Sequence, residues 1–528
     1  MPRAAAQDDA LDVTTIATLF SSAEFFVAVR TDQRFADQLD AISVALSSGL
    51  AAERVQLSEL VDALLGEGVY SLSRLVNARF AALSLNGLAY LVDADSTNDQ
   101  RADLRMVIGH GLGRLGRAIL PTLQRLAGLR CQAEPERTTC YFEQAGLFKT
   151  LSVDERHIIL LSQPEAPLYP TETLAAQPDF TAALKDLPER AYDGYAFINT
   201  PYFAARIRYE GIRELLSALG FPPDALSAAM LGLKLTDEGL QLDAVQRRSV
   251  QPRANSAPLD LNFARFMPET VAIYLQTHDL SQLAEIAAGL LGSLSATLSS
   301  QEAYASLRQL FRSLFKLDLE GDLLSWARQS DYAVFVDTPD PSGNAPFDQL
   351  DLGFIISGDD PQRMAAVASG IADGLARQLR DQAGFAFERV TLPALDASVM
   401  QLSYTDAQFG ALRFYIGSAP QFSFFATERS LRRILQGQTL DKRLDWSRLE
   451  RYLLPRPSLL LHADADNATR FLFVLTETLA QLNIAQLGEL RLPSASNALT
   501  QRFERAILSV NTSAESQVQL RLFLLLSG

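Results

Sequence analysis

Phe25-Phe26-Val27-Ala28-Val29-Arg30-Thr31-Asp32 opens one half of the chain, and Ala272-Ile273-Tyr274-Leu275-Gln276-Thr277-His278-Asp279 opens the other. Each run is short, apolar and rich in β-branched or aromatic residues, as a buried strand requires. Each leads into Ala and Leu at helical spacing: Leu39, Ile42 and Leu46 in the first half, Leu283, Ile286 and Leu290 in the second. The pattern continues in register. Phe80 to Asp93 reads as two strands broken at the turn dipeptide Asn86-Gly87. Tyr332–Val336 and Leu350–Ile356 answer them around a Pro/Gly/Asn-rich loop at 338–346. Acidic loops follow at Asp93–Asp99 and Asp359-Asp360, each entering a long helix, and then β-rich stretches, Thr139–Leu161 and Phe387–Ala426.

A strand-plus-helix unit also occurs twice, at Gly194–Asn199 and Ser458–Ala463. Both halves close on paired strands, Ala229–Leu235 with Leu240–Gln246 and Ala506–Thr512 with Val518–Leu526. A period of roughly 245 residues suits two domains, not a short-repeat solenoid. Strands outnumber βαβ alternations, so the expected class is α+β. Two homologous modules are expected, each a mostly antiparallel sheet with helices packed on one face. The expected ranges are an N-terminal arm at 1–20, a first module at 21–248, a linker at 249–264 with Pro252, Asn255, Ser256 and Pro258, and a second module at 265–528.

The 528 residues exceed what one core usually serves, which also favours two domains. Hydrophobic residues make up 48% and charged residues 21%, a globular balance. A net charge of −15 repels phosphate backbones and excludes nucleic acid as the expected partner. No window approaches the ~20 apolar residues needed to span a bilayer as a helix. Leu520–Leu526 is short, carries Arg521 and reads as a final strand.

Ala4-Ala5-Ala6-Gln7-Asp8-Asp9 reads either as the end of a removed secretory signal or as an Ala-rich terminus. Cys131 and Cys140, the only cysteines, flank the turn-like Gln132–Arg137 and are expected to form a disulfide, with two buried thiols as the alternative. Their spacing suits neither a zinc knuckle nor a redox motif.

Phe266-Met267-Pro268-Glu269-Thr270-Val271-Ala272-Ile273-Tyr274-Leu275 is followed by Leu314-Phe315-Lys316-Leu317-Asp318-Leu319-Glu320-Gly321-Asp322-Leu323-Leu324-Ser325-Trp326, then by Tyr332–Val336 and Phe422-Ser423-Phe424-Phe425-Ala426-Thr427. In this order the segments resemble the DUF3352 family, bacterial exported proteins of unknown function, most strongly over 265–440. The first half offers only Leu64-Leu65-Gly66-Glu67-Gly68-Val69 for the Leu317–Leu324 stretch. The resemblance implies export and anchoring at the cell envelope, and carries no catalytic residue.

Other motifs are weighed against plain structure. Gly111, Gly113 and Gly116 satisfy GxGxxG after a strand at Leu104–Ile108, with Glu134 about twenty residues on where a ribose-binding carboxylate would sit. The second-half partner, Met364–Leu379, is a plain helix, so a glycine-tolerant packing helix is the favoured reading and a dinucleotide-dependent oxidoreductase the rival. Arg114, Arg117, Arg125 and Arg130 beside Leu112, Leu115, Ile119, Leu123 and Leu126 read as a surface helix, interrupted at Pro121, not a membrane-lying one. Asp93–Asp99 and Asp464–Asn467 lack the ligand set of a calcium loop and read as helix caps.

His110, His157, His278 and His462 are scattered. His278 and His462 end strands near an Asp, which leaves room for one His–Asp hydrogen bond, though ordinary polar residues at strand ends are the favoured reading. With no nucleophile elbow, metal pair or phosphate loop, the expectation is no catalytic residue, cofactor or metal. The chain is expected to be a non-enzymatic extracytoplasmic binding or scaffold protein of the cell envelope, partnered by envelope proteins. A carrier of a lipid-like apolar ligand in a cleft is the alternative.

Overall fold

The computed structural model describes residues 11–33, 35, 78–86, 103–113, 129–133, 136–142, 148–199, 226–248, 258–278, 309, 312, 331–340, 342–343, 345–357, 360–392, 397–481, 503–514 and 517–526. These fall into two compact units, the first described between residues 11 and 248 and the second between 258 and 526.

The first unit holds β1 (Phe25–Arg30), β2 (Ala78–Asn86), β3 (Asp103–His110), β4 (Leu129–Ala133), β5 (Thr138–Phe142), β6 (Thr150–Val153), β7 (His157–Leu161), β8 (Gly194–Ile198), β9 (Leu226–Leu235) and β10 (Gly239–Arg248). Its strands lie in the order β10-β9-β8-β1-β2-β3-β7-β6-β5-β4, every neighbour antiparallel. Among the described residues two short helices accompany them, α1 (Val13–Ala17) and α2 (Pro178–Asp186).

Because side chains alternate across a strand, Ala82, Val107 and Ile159 face one way and Ala81, Ile108 and Ile158 the other. The first face is packed by α1 and α2, with Phe180 edge-on to Phe26 and Phe197 at 5.9 and 5.2 Å. Each such ring, buried from water, contributes roughly 2–3 kcal/mol. The expected arm at 1–20 needs correction. Leu11, Val13, Ile16, Ala17, Leu19 and Phe20 belong to this core, and Asp12 caps α1 by accepting from the Thr15 N–H at 3.0 Å.

The second unit holds β11 (Val271–Thr277), β12 (Asp331–Asp337), β13 (Leu352–Ser357), β14 (Phe385–Leu392), β15 (Ala397–Asp406), β16 (Gly410–Ser418), β17 (Phe422–Thr427), β18 (Leu459–Asp464), β19 (Phe503–Ala514) and β20 (Gln517–Leu526). Their order is β20-β19-β18-β11-β12-β13-β17-β16-β15-β14, again antiparallel throughout. Strand for strand this is the order of the first unit. Its described helices are α3 (Pro346–Gln349), α4 (Pro361–Leu379), α5 (Glu428–Leu435), α6 (Leu444–Leu449) and α7 (Ala465–Gln481).

Helices cover both faces of this sheet, not the one expected. Leu431 and Ile434 of α5 and Trp446 and Leu449 of α6 pack on Tyr274, Phe335, Phe424 and Leu460, whereas Ala368 and Ala372 of α4 pack on Ile416 and Phe425. The cause is legible in the strands: Phe424-Phe425, Ile355-Ile356 and Leu459-Leu460 put apolar side chains on both faces, so both need cover. The expected linker is also too long. Leu259, Phe263 and Ala264 are buried in the second core, and Asp260 caps the 3-10 turn at 261–266 by accepting from the Asn262 N–H at 3.0 Å. The strand expected after Asn86-Gly87 lies outside the described residues.

Candidate functional site

Two of the scattered histidines meet. β3 and β7 pair with Gly109 opposite His157, which brings His110 and His157 to one end of neighbouring strands. Asp154, in the β6–β7 turn, organises that end. Its Oδ1 accepts from the N–H groups of Arg156 and His157 at 2.6 and 2.7 Å, and the Tyr169 hydroxyl donates to Oδ2. The His157 Nδ1 stands 3.6 Å from Oδ2. Burial opposes ionisation of Asp154, but the contacts from His157, Tyr169 and the backbone outweigh it and hold the carboxyl well below the usual range. His110 lies with Nε2 3.2 Å from the Asp154 carbonyl oxygen and Nδ1 3.4 Å from the Leu112 N–H. Burial keeps its pKa below the ordinary histidine value. A neutral imidazole with both nitrogens engaged fastens the turn and has no free base to offer.

Directly after it come Gly111 and Gly113, the latter at φ +54°, a left-handed conformation that glycine adopts without strain. Gly116, Glu134 and the arginine-rich stretch at 114–128 lie outside the described residues. The strand before these glycines decides the dinucleotide alternative. β3 is antiparallel to both β2 and β7, whereas a dinucleotide crevice opens at the carboxyl ends of parallel strands. The strand here is thus not the parallel one that the rival oxidoreductase reading requires. Cys131 and Cys140 sit directly opposite each other on β4 and β5 and are joined in a disulfide.

In the second unit His278 bonds Asp331, a residue the sequence did not single out, which also accepts from the Asp260 N–H at 2.8 Å and the Gln276 side chain at 2.7 Å. His462, on β18 between Tyr274 of β11 and Ile507 of β19, is 0% exposed. Among the described residues neither of its ring nitrogens has a hydrogen-bond partner. The Trp446 ring lies edge-on at 5.7 Å. Around it Arg505 stands 2.6 Å from Asp445 and 2.9 Å from Asp464, within ion-pair reach though not aligned as hydrogen bonds. Arg443 grips Asp445 at 2.9 and 3.1 Å. Burial first, then the two arginines, push the His462 pKa down to about 3 against the opposing pull of Asp445. It is a sealed, neutral imidazole. Asp464 also caps α7, accepting from the Asn467 N–H at 3.0 Å, as the capping reading expected.

Asp337 and Asp351 form the cluster that sequence reasoning missed. They end β12 and precede β13, and both turn toward α5. Asp351 accepts from Ser430 Oγ at 2.6 Å and Arg429 Nε at 2.7 Å, and also from the Thr427 hydroxyl. Asp337 takes Arg433 Nη1 at 2.6 Å and Ser430 Oγ at 3.3 Å. Burial and the neighbouring Asp337 push Asp351 up to about 6. Two close carboxylates whose pKa values separate can serve acid–base chemistry, but here their oxygens hold α5 by its arginines and hydroxyls. The available signal was two aspartates bracketing the 338–350 loop and two arginines four apart, on one face of a helix. Among the described residues no group of three or more His, Cys, Asp or Glu could hold a metal ion.

No curated protein matches this chain. Two solved structures, crystal forms III and I of TP0453, align at 10% and 9% identity over 47% and 45% of this chain and 82% and 79% of theirs. Their TM-scores of 0.24 and 0.23 are too low to carry an argument. The model of DUF3352, described as a protein of unknown function, matches residues 168–392. The match begins earlier than the stretch expected and stops short of Phe422–Thr427, so it spans β8 to β14. It supports the resemblance read from the sequence, and residues 168–392 carry the family likeness to DUF3352.

Proposed function

We propose that this chain is an extracytoplasmic binding or scaffold protein of the bacterial cell envelope, without catalysis, built from two copies of one ten-strand module. The observation that carries the compartment is the Cys131–Cys140 disulfide, since such bonds persist in oxidising surroundings and are reduced in most cytosols. The coincident strand orders of the two units, which follow the repeat in the sequence, support descent from one module. A non-catalytic role is supported by how the partly and fully buried carboxylates are used. Asp154, Asp351 and Asp464 each take donors from neighbouring turns and helices, as caps and fasteners do.

The test is native mass spectrometry on protein purified without denaturant from its own host. A bare mass, or one that includes a protein partner or further copies, is expected. A small apolar molecule released on unfolding would replace this reading with that of a carrier.

A further inference from the structure

Against a chain charge of −15, residues 428–456 hold eight basic and four acidic residues. They form the layer of short helices over the second unit's sheet. Leu431, Ile434, Trp446 and Leu449 point into the core, and Arg429, Arg433 and Arg443 turn to Asp351, Asp337 and Asp445. Arg432 and Lys442 are 65% and 69% exposed, and Arg448, Arg451 and Arg456 are exposed as well. Among these cations Leu444, at the start of α6, is 89% exposed, the most exposed of the large apolar side chains among the described residues.

Arg456 adds an independent observation. At φ +55° it is the one non-glycine residue among those described with a left-handed backbone. Arginine adopts that conformation at a cost of about 1 kcal/mol or more, which the surroundings must offset. They do so from both sides, because the Pro455 carbonyl accepts from Asn511 at 3.1 Å and the Pro457 carbonyl from the Leu259 N–H at 2.9 Å. The fold thus holds a charged side chain outward in a strained position.

We propose that this face, comprising Arg432, Lys442, Leu444, Arg448, Arg451 and Arg456, docks on an anionic membrane surface. Five exposed cations within residues 432–456, two of them shared with Glu428 and Asp441, and an exposed leucine between them in sequence match the two layers of such a surface. The arginines and lysine meet lipid phosphates while the leucine enters the acyl boundary. A nucleic acid would engage the cations but leave the leucine without a role. The inference adds a partner to the envelope reading but stands on the charge pattern, so it can fail while the disulfide and its compartment remain.

The experiment is co-sedimentation of the full chain with vesicles of phosphatidylcholine alone and of phosphatidylcholine with phosphatidylglycerol. Binding is expected on the anionic vesicles only, weakened by salt. At about fivefold per cation near the surface, the variant Lys442→Gln/Arg448→Gln/Arg451→Gln should bind about a hundredfold more weakly. Leu444→Ser should also lose affinity with every charge intact, which a purely electrostatic contact would not show. All four positions are exposed, so the melting midpoint should stay near that of the parent. Should the triple variant fail to fold, the lipid and salt dependence of the parent chain and Leu444→Ser still decide. Equal binding to both vesicle types, no binding to either, or unchanged binding by both variants would overturn the proposal. So would equally tight binding of soluble poly-glutamate by the parent and Leu444→Ser, since the surface would then suit an acidic protein.

Discussion

Replacing His462 with Phe should flatten the acid limb of the stability curve. The imidazole is fully buried, has no hydrogen-bond partner among the described residues and stands near Arg505 and Arg443, so in the folded chain it stays neutral down to about pH 3. In the unfolded chain it takes a proton near pH 6.5. The unfolded state therefore binds more protons throughout that window, and stability is lost as pH falls from about 6.5 toward 3, at about 1.4 kcal/mol per pH unit. Between pH 7 and pH 5 this one residue should cost the native chain about 2 kcal/mol. Phe keeps the edge-on contact with Trp446 and cannot titrate. Its slightly different volume shifts the whole curve by a constant, so the difference in slope isolates the proton. The assay is urea denaturation of both proteins at half-unit pH steps, with the midpoint read at constant m. Curves for the two proteins that run parallel from pH 7 to pH 5 would refute the reasoning, because they would mean that the native imidazole titrates freely.

Three further outcomes are expected. Cys131→Ser/Cys140→Ser should lower stability by about 3 kcal/mol, the chain-entropy value for closing so short a loop, read as a lower urea midpoint. Arg429→Met removes the 2.7 Å contact to Asp351 and the 2.9 Å contact to Asp340. Arg429 is 28% exposed, so the loss should be about 2 kcal/mol at pH 7, less than for a fully buried pair. Because the folded pKa of Asp351 is raised, to about 6, its favourable contribution belongs to the protonated side. The cost of Arg429→Met should therefore shrink on going from pH 7 to pH 5, and a cost that grows would contradict the assignment. Gly353→Ala would place a Cβ 2.5 Å from the Phe335 ring and 2.9 Å from Ala426, and should lower the thermal midpoint by an amount equivalent to about 2–3 kcal/mol.

Most strands were legible because their residues obey a local rule. Gly194–Asn199, Ser458–Ala463, Ala229–Gln246 and Ala506–Leu526 are apolar or alternating runs bounded by turn residues, and the described strands fall on them. The cysteine pair was legible for the same reason, since a hairpin puts flanking residues opposite each other. What failed was long-range. Nothing local tells whether Leu11–Phe20 or Leu259–Ala264 will find a core to enter, so both were read as tails or linkers although they are buried. Consecutive apolar residues such as Phe424-Phe425 did signal two covered faces, and that signal went unused. The Asp337–Asp351–Arg429–Arg433 cluster joins β12, β13 and α5 across up to 96 residues. Only the β12–β13–β17 pairing brings these groups together, so no window of sequence contains it. The glycine motif left a rival open because GxGxxG records a tight turn beside a strand, and says nothing of whether that strand is parallel to its neighbours.

The claim that this is an extracytoplasmic protein is tested most directly by trapping thiols in the cells of its own host. Cells are lysed into an alkylating agent under denaturing conditions, and the mass of the chain is then measured with and without prior reduction. The account predicts that Cys131 and Cys140 escape alkylation unless reduced first, and that the protein so protected is recovered outside the cytoplasm. Two alkylated cysteines in unreduced chain recovered from the cytoplasm would contradict it.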